Sequence, residues 1–151
     1  NALRLLDSEG APYRTAAYDS GGAAIDAPSV AAKVGMPPEQ VFKTLVAVGD
    51  KTGPAVFVIP GPCALDLKKA ATASGNKRVE MLPVRELRAL TGYERGGCSP
   101  IGMKKRLPAF VDESCEMFDE IAVSAGAIGL QAILAPADLL RVAGAAAADL
   151  V

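Results

Sequence analysis

The chain has 151 residues, three cysteines, no histidine and a formal net charge of −1. Its length predicts one domain, residues 1–151, and the lack of histidine excludes Ser-His-Asp and Cys-His catalysis and most zinc sites, so we expect neither a metal nor a cofactor. The odd number and wide spacing of the cysteines argue against disulfides and indicate a cytoplasmic protein. No apolar run is long enough to cross a bilayer, and we expect no membrane partner.

Positive charge is concentrated in one part of the chain. The segment from Lys68 to Arg106 has ten basic and three acidic residues, a net charge of +7, which leaves −8 for the remainder. Such asymmetry is typical either of a basic face that follows nucleic-acid phosphates or of a solvated helix surface. The charge pattern alone leaves both interpretations open.

Apolar periodicity, caps and turn residues divide the chain into short helices and strands. In chain order we expect a helix around Leu3–Leu6, a strand Tyr13–Tyr18, a helix Val30–Val34 capped by Asp26 or Ser29, strands Val41–Val48 and Ala55–Ile59, a helix Leu67–Ser74, an extended Lys77–Met81, a helix Val84–Leu90, strands Leu107–Val111 and Ile121–Ser124, a turn Ala125–Gly129, a strand Leu130–Leu134 and a helix Ala137–Val142. The Ala-rich segment 143–148 is expected to be helical or frayed. The order of elements predicts a mixed α/β fold with a barrel-like sheet of six to seven strands, closed or nearly so, and surrounding short helices.

The strand Val41–Val48 carries a lysine on a face that is otherwise apolar. Strand alternation puts Lys43 on the same face as Val41, Leu45 and Ala47. An ammonium group there must either extend from a strand end into solvent or lie in a polar pocket that uses its charge. The strand pattern favours neither alternative.

The stretch 91–106 is too rich in glycine and proline for a regular helix or a central strand, and we expect a shaped loop. The Gly-Gly pair at 96–97 permits turns in which backbone N–H groups converge on an anion or a carbonyl oxygen, although such a pair alone is also typical of a tight surface turn. Ser99, the rigid Pro100 and the basic cluster 104–106 follow directly. Their combination favours a substrate-binding loop.

Four motifs occur in order along the chain: Val-Phe-Lys-Thr-Leu-Val at 41–46, Leu-Asp-Leu-Lys-Lys at 65–69, Thr-Gly-Tyr-x-x-Gly-Gly-x-Ser-Pro-Ile-Gly-x-Lys-Lys at 91–105 and Val-Ser-Ala-Gly at 123–126. Together they resemble the YbaK/EbsC family of bacterial aminoacyl-tRNA editing enzymes, whose best-known members clear Cys-tRNA(Pro). The resemblance extends from Leu3 to about Val142. It implies a mixed α/β barrel-like fold, also found as the editing insertion of bacterial prolyl-tRNA synthetases, and it implies tRNA(Pro) and that synthetase as partners.

The resemblance also implies which residues form the site. The family's invariant lysine corresponds to Lys43, which becomes the catalytic candidate, and the other motif positions give substrate-binding candidates at Gly96, Gly97, Ser99, Pro100, Ser124 and Gly126. Two positions depart from the family. Where the family has an aromatic residue in the pocket, this chain has Ala16, and Tyr18, two residues on and on the same strand face, becomes a substrate-binding candidate in its place. Where the family has an acidic residue after the last glycine turn, this chain has Gln131. The candidates for contact with the tRNA backbone are Lys68, Lys69, Lys104, Lys105 and Arg106.

An aminoacyl ester is already activated, so its cleavage needs chiefly positioning and stabilisation of a developing oxyanion. We expect Lys43 and backbone N–H groups of the loop to hold the ester or the terminal adenosine while the thiol of a cysteinyl substrate attacks its own carbonyl. Cys98 is the rival nucleophile, but without a histidine base we expect it to be protonated and to serve in packing. The hypothesis is a trans-editing deacylase of Cys-tRNA(Pro). The alternatives are editing of Ala or another small amino acid on tRNA(Pro), and a non-catalytic tRNA- or synthetase-binding module.

Overall fold

The computed structural model describes all residues from Asn1 to Val151, and they form five α-helices and eight β-strands. The helices are α1 (Ala2–Ser8), α2 (Ala27–Val34), α3 (Leu67–Ser74), α4 (Val84–Thr91) and α5 (Pro136–Ala143). The strands are β1 (Tyr13–Ala17), β2 (Phe42–Gly49), β3 (Gly53–Pro60), β4 (Val79–Met81), β5 (Ala109–Asp112), β6 (Ile121–Ala127), β7 (Leu130–Leu134) and β8 (Ala145–Ala148). None of the five helices is long and apolar enough to span a membrane.

The ends of the helices follow from the chemistry of single residues. Helix α2 begins after Asp26, whose carboxylate accepts a hydrogen bond of 2.7 Å from the Ser29 N–H, and it ends at Gly35 in the left-handed conformation. Helix α3 begins after Asp66, which accepts from two N–H groups of the first turn, and it ends at Gly75, also left-handed. Of the two caps predicted for α2, Asp26 and Ser29, the structure uses Asp26. Both glycines have the left-handed conformation that is common after the last helical residue.

The strands form two sheets, with the orders β4-β2-β3-β5-β8 and β1-β7-β6. Strands β2 and β3 are an antiparallel hairpin, whereas β5 runs parallel to both β3 and β8. Strand β3 is buried continuously from Ala55 to Pro60, as its wholly apolar sequence predicts. A single parallel bridge between Val41 and Ala122 connects the two sheets. The mixed α/β class is therefore confirmed, but the barrel-like sheet of six to seven strands is not, because eight strands divide between two sheets.

The Ala-rich segment 143–148 corrects a prediction. It is neither helical nor frayed after Ala143, because Gly144 ends α5 in the left-handed conformation and β8 then pairs in parallel with β5. The prediction that Leu130–Leu134 is the last strand is wrong for the same reason. Alanine favours a helix in isolation, but here backbone hydrogen bonds to the edge of β5 override that weak preference.

The three-stranded sheet is covered on both faces, and this arrangement positions helix α2. One face, with Val123 of β6, belongs to the central apolar core between the sheets. The other face, with Ala122 and Ile133, packs against Val30 and Ala31 of α2. The start of α2 thereby lies near the end of β6, the beginning of β7 and the beginning of β2.

Candidate functional site

A cavity of about 370 Å³ lies where β2 begins, between the start of α2, strands β6 and β7, and the loop 92–108, which we call the glycine loop. Its volume is in the range of small-molecule sites. Four of the predicted site residues line it: Tyr18, Lys43, Gly96 and Ser124. The fold thus brings together residues more than a hundred positions apart in the sequence, from the end of β1 to the end of β6.

The other four substrate-binding candidates do not line this cavity. Gly97 in the loop and Gly126 on β6 line a different cavity together with Tyr93, and Pro100 borders a third cavity of about 120 Å³. Ser99 has 0% exposure, and its hydroxyl accepts a hydrogen bond of 3.2 Å from the Ile101 N–H. Gly97 and Ser99 make hydrogen bonds within the loop, and contact of any of the four residues with a substrate stays a prediction.

Strand β2 contributes one cationic side chain to the cavity, that of Lys43. It is half-buried, and none of the five ion pairs in the protein includes it. Its register partner on β3 is Ile59, so the neighbouring strand offers no counter-charge at this row. Keeping an unpaired ammonium at a half-buried position costs free energy, and that cost is recovered when a ligand oxygen pairs with the charge.

The glycine loop contributes backbone donors to the cavity. The Gly97 N–H donates to the Glu94 carbonyl at 3.0 Å, whereas the N–H groups of Gly96 and Cys98, which both line the cavity, donate to no protein acceptor. Gly96 has φ of 86°, and a Cβ there would lie 2.6 Å from Cβ of Ala24, so only glycine fits. The loop therefore contributes two residues to the same cavity lining as Lys43 whose N–H groups have no protein acceptor.

Buried polar atoms without a partner also collect at this cavity. Of the three buried side-chain atoms that lack a hydrogen bond, Thr44 Oγ1 and Gln131 Oε1 belong to cavity-lining residues, and the third is Ser114 Oγ. Gln131 is only 5% exposed and lies between Ala16 on β1 and Ser124 on β6 in one row of the sheet. Because an unpaired buried polar group costs free energy, two in one cavity indicate a binding site for a polar ligand.

Sequence reasoning missed three polar lining residues as members of the site. Thr44 follows Lys43 directly, Arg95 precedes the Gly-Gly pair, and Asp26 was identified only as a helix cap. The motif that contains Thr44 and the loop that contains Arg95 were the available signals. No sequence signal connects Asp26 to this cavity, because the packing of α2 on the three-stranded sheet brings it there.

Cys98 lines the cavity but lacks the properties of a nucleophile. The residue is 6% exposed, and burial raises the pKa of its thiol to about 11, although a hydrogen bond with Thr91 opposes part of that rise. Near neutral pH the group is therefore overwhelmingly a thiol, which reacts far more slowly than a thiolate. The chemistry of this cysteine favours packing, as the sequence suggested.

The basic candidates lie outside the cavity in two groups. Lys68 and Lys69 are on α3, where Lys69 donates to the Asp149 carboxylate at 3.1 Å. Lys104 and Lys105 are exposed on the glycine loop and form no ion pair, whereas the Arg106 guanidinium lies against the backbone of Gly144. Of the five candidates, Lys69 alone forms an ion pair within the protein.

Comparison with known proteins gives concordant results. The family model described as "Aminoacyl-tRNA editing domain" matches residues 23–142. EbsC of Enterococcus faecalis, provisionally named a Cys-tRNA(Pro)/Cys-tRNA(Cys) deacylase, is 50% identical over 93% of this chain and 85% of its own length. The multifunctional Ser/Thr-tRNA deacylase ProXp-y of Escherichia coli is 29% identical over 93% of this chain and 85% of its own. A crystal structure described as a candidate trans-editing enzyme for prolyl tRNA synthetase superposes with a TM-score of 0.86 at 31% identity, over 98% of this chain and 92% of that one.

Proposed function

This chain belongs to the aminoacyl-tRNA editing domain family, and we propose that it is a trans-acting deacylase that removes cysteine from mischarged tRNA(Pro). The observation that carries the proposal is that one cavity is lined both by Lys43, whose ammonium group has no ion-pair partner, and by two residues whose backbone N–H groups have no protein acceptor. These groups suit an ester carbonyl that becomes an oxyanion. The same cavity contains no histidine, and its cysteine is protonated.

A site with oxyanion donors and no base implies that the substrate supplies the nucleophile. In the proposed reaction the cysteinyl sulfur attacks its own carbonyl carbon, so a C–S bond forms and the C–O bond to the terminal ribose breaks. The thiol proton goes to the departing ribose oxygen, and the product is a cyclic thiolactone that water then hydrolyses. Lys43 and the N–H groups of Gly96 and Cys98 lower the barrier by holding the carbonyl oxygen as it gains charge.

The polar atoms of the cavity support a small substrate with a polar side chain. Thr44 Oγ1 and Gln131 Oε1 are buried and have no hydrogen-bond partner, and the methyl group of an alanyl substrate could not provide one. A cysteinyl or seryl group brings an S–H or O–H to them. Serine is accordingly the second candidate substrate, which the relationship to the Ser/Thr-tRNA deacylase ProXp-y also favours.

The proposal places the protein in the cytoplasm with tRNA(Pro) as its macromolecular substrate. Prolyl-tRNA synthetase is the partner it implies, because a mischarged tRNA leaves that enzyme before it can be edited in trans. The likeness to a structure described as a trans-editing enzyme for that synthetase supports this partner. Addition of the synthetase should then raise the rate of deacylation at limiting tRNA concentration.

A panel of tRNA(Pro) charged with Cys, Ser, Ala or Pro tests the proposal. We expect rapid loss of the cysteinyl ester, slower loss of the seryl ester and little change for the alanyl and prolyl esters. Equal half-lives with and without the protein, together with a shift of the tRNA in a gel, would identify a binding module without catalysis. Preferential loss of the alanyl ester would assign the family's alternative specificity.

A further inference from the structure

Charge is distributed unevenly in the cavity. Its lining has two cationic side chains, Lys43 and Arg95, and a single carboxylate, Asp26. The other polar side chains of the lining that carry buried atoms, those of Thr44, Ser124 and Gln131, are neutral. A ligand that carries a positive charge therefore has one place in this cavity where that charge is matched.

Asp26 is held in position and remains available to a ligand. The Ser29 N–H donates to its Oδ1 at 2.7 Å, which fixes the side chain at the start of α2. Hydrogen bonds from the Ser29 hydroxyl and then from its backbone N–H lower the pKa of Asp26, so the carboxylate is charged near neutral pH. It forms no ion pair within the protein, and a carboxylate has acceptor sites beyond those that Ser29 uses.

An independent observation shows that the same cavity is built for a polar ligand. Gln131 is 5% exposed, and its Oε1 accepts no hydrogen bond. A neutral carboxamide suits a neutral donor such as a hydroxyl or thiol, but it does not offset the cost of removing a full cation from water. On a small aminoacyl group, the α-ammonium therefore suits Asp26, and the S–H or O–H of the side chain suits Gln131.

We propose that Asp26 binds the α-ammonium group of the aminoacyl substrate. This inference rests on the proposed function, since it takes the cavity as the site of the aminoacyl group. The ammonium group would be repelled by Lys43 and Arg95 and attracted by Asp26, which orients the ester towards the glycine loop and Lys43 and the side chain towards Gln131. A chain whose α-amine is acylated, as in peptidyl-tRNA, lacks this contact and is therefore bound less tightly.

Binding of non-hydrolysable analogues tests Asp26 without requiring turnover. The probes are the cysteinyl amide of 3′-amino-3′-deoxyadenosine and its 3-sulfanylpropanoyl counterpart, which keeps the thiol and lacks only the amine. For the parent protein we expect the amine-bearing probe to bind about fivefold tighter in calorimetry, the upper range for an ion pair near the surface. Asp26→Asn, which keeps a good helix cap, should bring that ratio close to one.

Asp66→Asn is the matched control, because Asp66 caps α3 in the same way and does not line the cavity. It should leave the affinity ratio at the parent value. The inference is overturned if Asp26→Asn keeps the parent affinity ratio, or if the parent protein binds the two probes equally. In either case, deacylation of Cys-tRNA(Pro) by the parent protein would leave the proposed function intact. If the parent protein binds neither probe and deacylates none of the charged tRNAs, the proposed function fails first and the inference fails with it.

Discussion

The two sides of the glycine loop differ in how their polar groups are used. On the side away from the cavity, Tyr93 donates its hydroxyl to the Ile101 carbonyl at 2.6 Å, Gly97 donates to Glu94, and Ser99 accepts from Ile101. Gly96 and Cys98 line the cavity, and their N–H groups have no protein acceptor. Groups that are paired stabilise the loop, whereas the unpaired N–H groups remain free to bind a ligand. Substitutions on the two sides should therefore affect stability and activity separately.

The largest effect is expected at the cavity side. Lys43→Ala should lower kcat/KM for Cys-tRNA(Pro) by about 100-fold or more, the loss typical of one oxyanion-stabilising group. The free energy of unfolding should stay the same or rise, because an unpaired half-buried charge is removed. Lys33→Ala, an exposed lysine on α2, serves as control for the loss of one positive charge. Parent activity in Lys43→Ala would show that the lysine has no part in the reaction.

Gly126→Ala should lower stability more than activity, since Gly126 on β6 lies against Tyr93, on the side of the loop away from the cavity. Its φ is 102°, and a Cβ would lie 2.9 Å from Cε1 of Tyr93. Backbone strain and overpacking together should reduce the free energy of unfolding by about 2 to 4 kcal/mol in urea titrations. Gly53→Ala is the control, because Gly53 also has positive φ (69°) but no atom within 4 Å of the added Cβ. If the free energy of unfolding falls no more than in Gly53→Ala, the Tyr93 ring moves aside at little cost, and the contact between Gly126 and Tyr93 is not tightly packed.

The exposed lysines of the loop extend the comparison to the tRNA body. Lys104→Ala with Lys105→Ala should lower the slope of log affinity against log salt by roughly 1.4 to 1.8, if each lysine neutralises one phosphate. The double variant Lys33→Ala with Lys51→Ala removes the same charge outside the basic segment and should leave the slope unchanged. Equal slopes for the parent and both double variants would identify the cluster as a solvated surface.

The smallest effect should come from Ser99→Ala. Loss of the acceptor for the Ile101 N–H should cost about 1 kcal/mol of unfolding free energy, while kcat/KM stays near the parent value. Both quantities follow from the same protein samples by urea titration and deacylation assay. A several-fold rise in KM at parent stability would instead place Ser99 in contact with the substrate, as the family resemblance implies.

Local signals predicted most of the fold, and long-range packing explains what they missed. Asp26, Gly35, Asp66 and Gly75 set helix ends through hydrogen bonds and backbone conformations that depend on neighbouring residues only. The strand Ala145–Ala148 was missed because its formation depends on the edge of β5, more than thirty residues away. The division into two sheets likewise depends on which strands meet, and alternation of residue types does not encode that.

The site was predicted in the same uneven way. Lys43, Gly96 and Ser124 belong to recognisable motifs, and the fold brings them to one cavity. Ser99 belongs to a motif as well, yet its hydroxyl is turned to the interior, because a loop has two sides and spacing does not say which one a residue faces. Asp26 reaches the cavity only because α2 packs on the three-stranded sheet.

The central claim is that the protein positions the ester and the substrate provides the nucleophile. The most direct measurement is the first product of a single turnover of Cys-tRNA(Pro), stopped at early times and trapped with a reagent for thiolactones. The account predicts thiolactone before free cysteine, at nearly the same rate in the parent protein and in Cys98→Ala. Free cysteine from the earliest time point, together with an inactive Cys98→Ala, would contradict it and make the loop cysteine the nucleophile.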